Sequence, residues 1–469
     1  MSEPFSPAWI AAWADALRTS DSYRAAARSW EGAVVLEQVP DRGEPPDAAR
    51  SVFLDLWRGE CRAARVATAA DREAARYVIS GPRAAWERVL QGELSPTMAI
   101  MRNALSLSKG SLGGLLPHVG AATAMLRLAQ GLEVAPEPAP GPAPEPAPPP
   151  TSTASRPHFQ STSPTGLRFD SVPMRLWEKA KRFGIWNPAD IDFTQDRADW
   201  QRLAADEQDV LVRLAALFQG GEEAVALDIL PLADVMAREG RLEEQLYLAS
   251  FIWEEAKHVE LFRRFLDEVT GRRDDLASYH SPSWRAIFAE ALPAAMGRLR
   301  HDASPVAQAE ASATYNMIVE GVLAETGYHM YHRVLVAQGI LPGMQRAVTL
   351  LKQDESRHIA YGLHLLSRLV AEHGDVAWHA IEARMNALVV PAVAVVTEAF
   401  AAYPPDRIPF GLDPADFTRF AMSQFQRRLA WLERGRRAGG QGDVSGDLLD
   451  DLFEGDGSPS ATATSPSTA

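Results

Sequence analysis

Two Glu-x-x-His pairs constrain this chain more than any other feature. Glu255 and His258 lie in IWEEAKHVELFRRF, and one hundred residues later Glu355 and His358 lie in KQDESRHIAYG. Residues three apart share a helix face, so each pair turns one carboxylate and one imidazole to the same side. Two more acids sit in helical stretches, Glu222 in FQGGEEAVALD and Glu320 in YNMIVEGVLAETG. Apolar neighbours surround them: Phe251, Val259 and Phe262 flank Glu255, and Ile318, Val319, Val322 and Leu323 flank Glu320. A buried carboxylate is costly without a cation. Four carboxylates and two imidazoles from four helices form a donor set for two metal ions inside a bundle. Oxygen donors with one imidazole per ion suit iron or manganese better than a thiolate zinc site or an all-oxygen calcium cage.

The surrounding pattern agrees. Apolar residues recur at helical spacing over 205–238, 242–270, 305–337, 343–372 and 376–402, with Gly, Pro and Asp breaks between. Pro231 falls inside the first stretch and is expected to kink or end it. The expected architecture is an all-α, ferritin-like helical bundle spanning 161–435.

A different domain precedes it. Nine of the chain's 33 prolines fall between residues 136 and 150, in a Pro/Ala-rich segment that cannot build a core. Residues 133–160 are therefore expected to be an extended linker. Before it, helical patterns at 8–18 and 82–90 flank alternating runs at 33–38, 52–58, 62–68 and 105–109, which predicts a small α+β domain over 1–132. Beyond it, 436–469 is rich in Gly, Asp, Ser, Thr and Ala and is expected to be disordered. Its LLDDLFE patch reads as a frayed helix end or a docking peptide. The single cysteine, Cys61, rules out an intrachain disulfide framework and fits a cytoplasmic protein. No basic-then-apolar leader and no run of about 18 uninterrupted apolar residues is present, so neither secretion nor a membrane span is expected. A net charge of −14 argues against a nucleic-acid partner.

Two resemblances add to this reading. The segment WERVLQGELSPTMAIMRNALSLSKGSLGGL (Trp86–Leu115) resembles sterol carrier protein type 2 domains, which implies a lipid tail enclosed between sheet and helices. Met98, Met101 and Leu105 suit such a cavity or an ordinary core. Residues 164–435 resemble the ferritin-like branch of ribonucleotide reductase small subunits, and within it the small-subunit-like ligand-binding oxidases. The resemblance rests on Glu222, Glu255, His258, Glu320, Glu355 and His358, at intervals of 33, 3, 62, 35 and 3. It implies one ion on Glu222, Glu255 and His258, another on Glu320, Glu355 and His358, and Glu255 bridging. The implied cofactor is a manganese and iron pair, or di-iron, with a long-chain fatty acid as ligand, dioxygen as oxidant and a homodimer as assembly.

Four positions separate oxidase from reductase. Phe262 stands where reductase subunits carry their radical tyrosine, and the last tyrosine is Tyr403, so no tail tyrosine is present. Val225 and Tyr315 occupy the places of the oxidases' ether cross-link. Five residues is about 140° around an ideal helix. Tyr315 can therefore reach the face of Glu320 only if the helix is distorted or the ring approaches from the side. Trp186 and Asp354 match the reductase electron relay; residue chemistry alone reads Trp186 as core and Asp354 as the group that orients His258. The expected function is a metal-dependent oxidase acting beside a lipid. A reductase small subunit without a tyrosyl radical, and a non-enzymatic lipid sensor or metal store, are the alternatives.

Overall fold

In a computed structural model the chain divides into two units, split near residue 155. The structure describes residues 3–40, 50–92, 94, 96–101, 104–110, 115, 118–130 and 159–437. The greater part of the linker, the tail with its LLDDLFE patch, and the side chains of Met98 and Met101 lie outside that set.

In the first unit, helix α1 (Pro7–Thr19) is capped by the Ser6 hydroxyl and buries Trp9, Ile10, Trp13 and Leu17, the i, i+3, i+4 stripe of an amphipathic helix. The sheet has five strands, β1 (Glu31–Val39), β2 (Arg50–Trp57), β3 (Glu60–Val66), β4 (Tyr77–Pro82) and β5 (Ser106–Lys109), in the order β3-β2-β1-β4-β5; four follow the expected runs, and β4 is an addition to them. β1 is antiparallel to β2 and parallel to β4. As the middle strand it is covered on both faces, and Val34, Val35 and Leu36 are all buried. Helices α2 (Arg83–Leu90) and α3 (Val119–Gln130) follow, and three short helices, Asp21–Ala26, Ala69–Ala74 and Pro96–Met101, link the elements. The Trp13 indole N–H donates to the Met125 carbonyl at 2.8 Å and ties α1 to α3. Phe5 stacks on Trp9 and meets Trp86 edge-on, and Trp9 packs at a tilt against Trp13.

The regular elements of the second unit are all helices among its described residues. The first long pattern is cut where Pro231 required, into α4 (Ala205–Asp228) and α5 (Leu230–Arg238). α6 (Leu242–Phe265) begins with Glu243 and Glu244 and ends with Arg263 and Arg264, matching its dipole at both ends. α7 (305–336) is one continuous helix whose middle, Ala313–Ala324, is wound as a π-helix. α8 (Pro342–His373), α9 (Asp375–Glu398) and α10 (Pro414–Arg437) follow. α9 is long and apolar enough to cross a membrane by length and composition, but 56% of its most apolar window is buried in the fold, as a core helix would be.

Two contacts set α8 in place. Its first turn is held by acids from Thr194–Trp200: Asp196 accepts from the amides of Gly343 and Met344, both at 2.8 Å, and Asp199 from Leu341 at 2.9 Å. A Cβ at Gly343 would lie 2.5 Å from the Asp192 carbonyl, so the cap needs glycine there. Further along, a Cβ at Gly362 would overlap Asn316, 2.2 Å from its Cβ. That glycine lets α8 pack against the π segment of α7.

Replacing Trp13 by Ala should destabilise the first unit by about 3–5 kcal/mol, the usual cost of truncating a buried aromatic. Calorimetry on the full chain is expected to show one transition lowered and a second unchanged.

A candidate dinuclear metal centre

The six ligand positions read from the sequence converge at one buried point. α4 carries Glu222, α6 Glu255 and His258, α7 Glu320, and α8 Glu355 and His358; none is more than 4% exposed. They form two groups, Glu222–Glu255–His258–Glu355 and Glu255–Glu320–Glu355–His358, each offering donor atoms within 4.8 Å of one another. His258 Nδ1 stands 3.5 Å from Glu222 Oε2, 3.5 Å from Glu255 Oε2 and 3.4 Å from Glu355 Oε1. His358 Nδ1 stands 3.2 Å from Glu255 Oε1, 3.6 Å from Glu320 Oε1 and 3.4 Å from Glu355 Oε2. Glu255 and Glu355 thus turn one oxygen to each imidazole. Glu355 spans the two groups as well as Glu255 does, a symmetry the sequence reading had given to Glu255 alone.

The outer nitrogens are fixed crosswise. His258 Nε2 lies 3.3 Å from Asp354 Oδ2, and His358 Nε2 lies 2.9 Å from Glu254 Oε2. Each orienting acid precedes the ligand glutamate of the opposite helix. Such carboxylate–imidazole pairs set the ring orientation of metal-binding histidines. Arg357, fully buried, donates to Glu254 at 2.6 Å and to Asp354 at 2.5 Å. Lys257 donates to Asp354 at 3.1 Å and to the Gly184 carbonyl at 2.6 Å. Asp354 orients His258 as expected. Trp186 donates to Asp354 at 2.8 Å but is half-buried, so the expectation that it is core is corrected. Its ring is spent on Lys257, whose ammonium lies 4.2 Å from the ring centroid.

Sequence reasoning missed Glu254, Lys257 and Arg357. Their signal was present as a repeated acid-Glu-x-base-His, EEAKH and DESRH. It missed two polar supports too: Asn316 donates to Glu320 Oε2 at 2.9 Å, and Tyr328 to Glu355 Oε1 at 3.1 Å.

The charges show what the centre needs. Arg357 and Lys257 match the outer acids Glu254 and Asp354, leaving four inner carboxylates without a fixed cation. Five inward atoms find no hydrogen-bond partner: Glu255 Oε2, Glu320 Oε1, Glu355 Oε2 and both histidine Nδ1 atoms. Two divalent ions would satisfy all five and neutralise the four acids. Without them, protons do the work. Burial pushes Glu222 up to about 8, and with Glu355 beside it pushes Glu320 well up. Burial also opposes ionisation of Glu255 and Glu355, but contacts with both histidines outweigh it, holding Glu255 at about 2 and lowering Glu355. Burial disfavours the imidazolium forms, yet Asp354 and Glu254 lead the carboxylates that raise His258 and His358 well above the ordinary value.

Tyr315 reaches this centre because of the π segment. Bonding from i to i+5 winds more residues into each turn, bringing Tyr315 towards the face of Glu320 five residues on. Its hydroxyl lies 3.3 Å from the Val225 carbonyl and 3.3 Å from Glu255 Oε1. Burial, then the four carboxylates, keep that hydroxyl protonated. Phe262 stacks on Phe218 at 4.9 Å and presents no hydroxyl. Beside the acids opens an apolar cavity of about 700 Å³ counting its mouth, lined by Val225, Phe218, Trp284, Phe288, Val319 and Val396 among others.

Metal uptake must displace these protons. Anaerobic titration with manganese(II) or iron(II) should release protons, and the apparent affinity should fall as pH is lowered through about 8, where Glu222 takes up its proton. Asp354→Asn is expected to weaken binding by roughly 10–100-fold, as loss of an orienting acid does; calorimetry in buffers of different ionisation heat reads both effects.

The comparisons agree with the geometry. The family "Ribonucleotide reductase, small chain" matches residues 173–433, and the SCP-2 sterol transfer family matches residues 14–113. Among solved structures, an R2-like ligand-binding oxidase from Sulfolobus acidocaldarius is 40% identical, with a TM-score of 0.54, over 59% of this chain and 95% of its own. Another R2-like ligand-binding oxidase, with aerobically reconstituted metal cofactor, is 36% identical, with a TM-score of 0.57, over 59% of this chain and 99% of its own. A variant with an anaerobically reconstituted Mn/Fe cofactor is 37% identical, with a TM-score of 0.56, over 59% and 98%. With a match over 95–99% of those oxidases and the six expected ligand residues converging here, the chain belongs to the ribonucleotide reductase small-chain family, among its R2-like ligand-binding oxidases, with an SCP-2 domain ahead of it.

Proposed function

We propose that this chain is a dinuclear manganese/iron oxidase that uses dioxygen for a two-electron oxidation beside a bound long-chain fatty acid. The observation that carries the reading is the pair of carboxylates, Glu255 and Glu355, each facing both imidazoles and each with its Oε2 unpartnered. Glu222, Glu255 and His258 would hold one ion and Glu320, Glu355 and His358 the other, with Glu255 and Glu355 common to both groups. When bound, the pair supplies the reduction of dioxygen.

The protein's own part is to direct the oxidising power. Tyr315 is pinned by its hydrogen bond to the Val225 carbonyl, which holds its oxygen beside α4 at Val225. In the proposed cross-link the Val225 Cβ–H and Tyr315 O–H bonds break and one C–O bond forms. Two electrons and two protons pass to dioxygen. Phe262 cannot hold a phenoxyl radical, so no stable radical is kept for a partner subunit. The hydrogen-bonded line Trp186–Asp354–His258 offers a route inward for reducing equivalents.

The cavity supports the lipid reading. Its acids lie at one part of an otherwise apolar lining, and its volume is in the range of sites for drug-sized ligands. A fatty acid would place its carboxylate towards the metals and its tail along Phe288, Val395 and Val396. The SCP-2 domain would raise the local concentration of such a lipid through the proline-rich tether.

Peptide mass spectrometry after aerobic reconstitution with manganese and iron should find the Val225 and Tyr315 peptides joined and lighter by two hydrogens. Tyr315→Phe should retain both metals and lose the joined peptide. A joined peptide in the anaerobic sample, or none at full metal occupancy, would overturn the reading. Ala399→Trp, at a half-buried position in the cavity lining, should lower the fatty acid recovered by solvent extraction, with metal content unchanged.

A further inference from the structure

A second, larger cavity lies in the helical unit and shares no lining residue with the first. It opens between the C-terminal half of α7, the first half of α8, and α10, and spans about 1530 Å³ counting its mouth. Arg428 enters it from α10 and is 3% exposed. Its Nε has no partner, and its Nη2 finds only Glu325, at 3.5 Å. Two more buried polar atoms on the same lining are unpartnered, the Tyr331 hydroxyl and Gln424 Oε1.

A buried guanidinium with idle donors is expensive unless an acceptor reaches it. Water alone would answer a purely polar chamber. This one also presents Leu335, Val348, Ile359 and Phe420. Its charges are one-sided, with Lys352, Arg427 and Arg428 against the single acid Glu325, in a chain whose net charge is −14. Guanidinium groups favour the planar oxygens of carboxylates and phosphates.

We propose that this cavity is a second ligand site, which binds an anionic amphiphile with its carboxylate or phosphate head on Arg428, flanked by Lys352 and Arg427, and its apolar body against Leu335, Val348 and Phe420. The site stands independently of the metal assignment. α8 nonetheless touches both: Lys352 and Ile359 line this cavity, while Glu355 and His358 face the metals.

Calorimetric titration of the full chain with hexyl phosphate, hexanoate, inorganic phosphate and hexanol tests it. Hexyl phosphate or hexanoate is expected to bind, and whichever binds tighter identifies the head group. Arg428→Gln and Lys352→Gln should each weaken that binding by roughly tenfold, the scale of one charge-assisted hydrogen bond, whereas Ala399→Trp in the first cavity should leave it unchanged. Lys352 is only half-buried, so its variant keeps the test valid if Arg428→Gln fails to fold. Equal binding of inorganic phosphate and hexyl phosphate would overturn the amphiphile, and equal binding of hexanol would overturn the anion. No binding, or binding indifferent to both cation variants, would leave a water-filled cavity and sink the proposal.

Discussion

The structure depends on burying more negative charge than a helical bundle can bear by itself. Six carboxylates, Glu222, Glu254, Glu255, Glu320, Asp354 and Glu355, stand together away from solvent. Fixed cations answer only two of them. The residual charge is the reason metal ions belong there, and it also dictates how rigidly the helices are held. Because the acid preceding each ligand glutamate orients the histidine of the opposite helix, α6 and α8 cannot slide past one another without losing both imidazole orientations. Arg357 ties the two orienting acids together from behind. The acid-capped start of α8 and the Gly362–Asn316 contact then fix Glu355 and Glu320 against each other.

Much of this was legible in the sequence, for definite reasons. Helix and strand periods are local, so four of the five strands and the long helices α4 to α9 appear within a few residues of where they were expected, while β4 and α10 had not been anticipated. The ligand set was legible because metal chemistry uses few residue types at fixed helical offsets. Burial of ordinary charges was not. In EEAKH and DESRH the outer acid and the base look like solvated helix charges at favourable spacing, and only the tertiary fold shows that Glu254, Lys257 and Arg357 face inward. Trp186 went the other way: an aromatic residue read as core is half-exposed because Lys257 and Asp354 hold it by its ring face and its N–H.

The Tyr315 position shows how a misfit in the sequence can carry structural information. On an ideal helix its spacing from Glu320 is wrong for a shared site. α7 resolves the conflict with twelve residues of π-helix, a wider winding that is rare and concentrated at functional sites. Such a segment gives up regular α-helical hydrogen bonding, so its neighbours must sustain it. Gly362 does so by admitting Asn316, and Asn316 in turn holds Glu320. The distortion, the glycine and the ligand are one device.

Burial links stability to chemistry. The apolar walls that make the inner carboxylates costly also keep Tyr315 protonated, although an acid oxygen lies 3.3 Å from its hydroxyl. A deprotonated tyrosine would add a fifth negative charge to the centre and compete as a ligand. Kept neutral, it surrenders its proton only together with an electron, when a strong oxidant is present beside it. Phe262 packs against Phe218 and Tyr331 and carries no hydroxyl, whereas the Tyr315 hydroxyl contacts both a ligand carboxylate and the Val225 backbone. Under the proposed cross-link, the burial that demands metal ions would also select the side chain they oxidise.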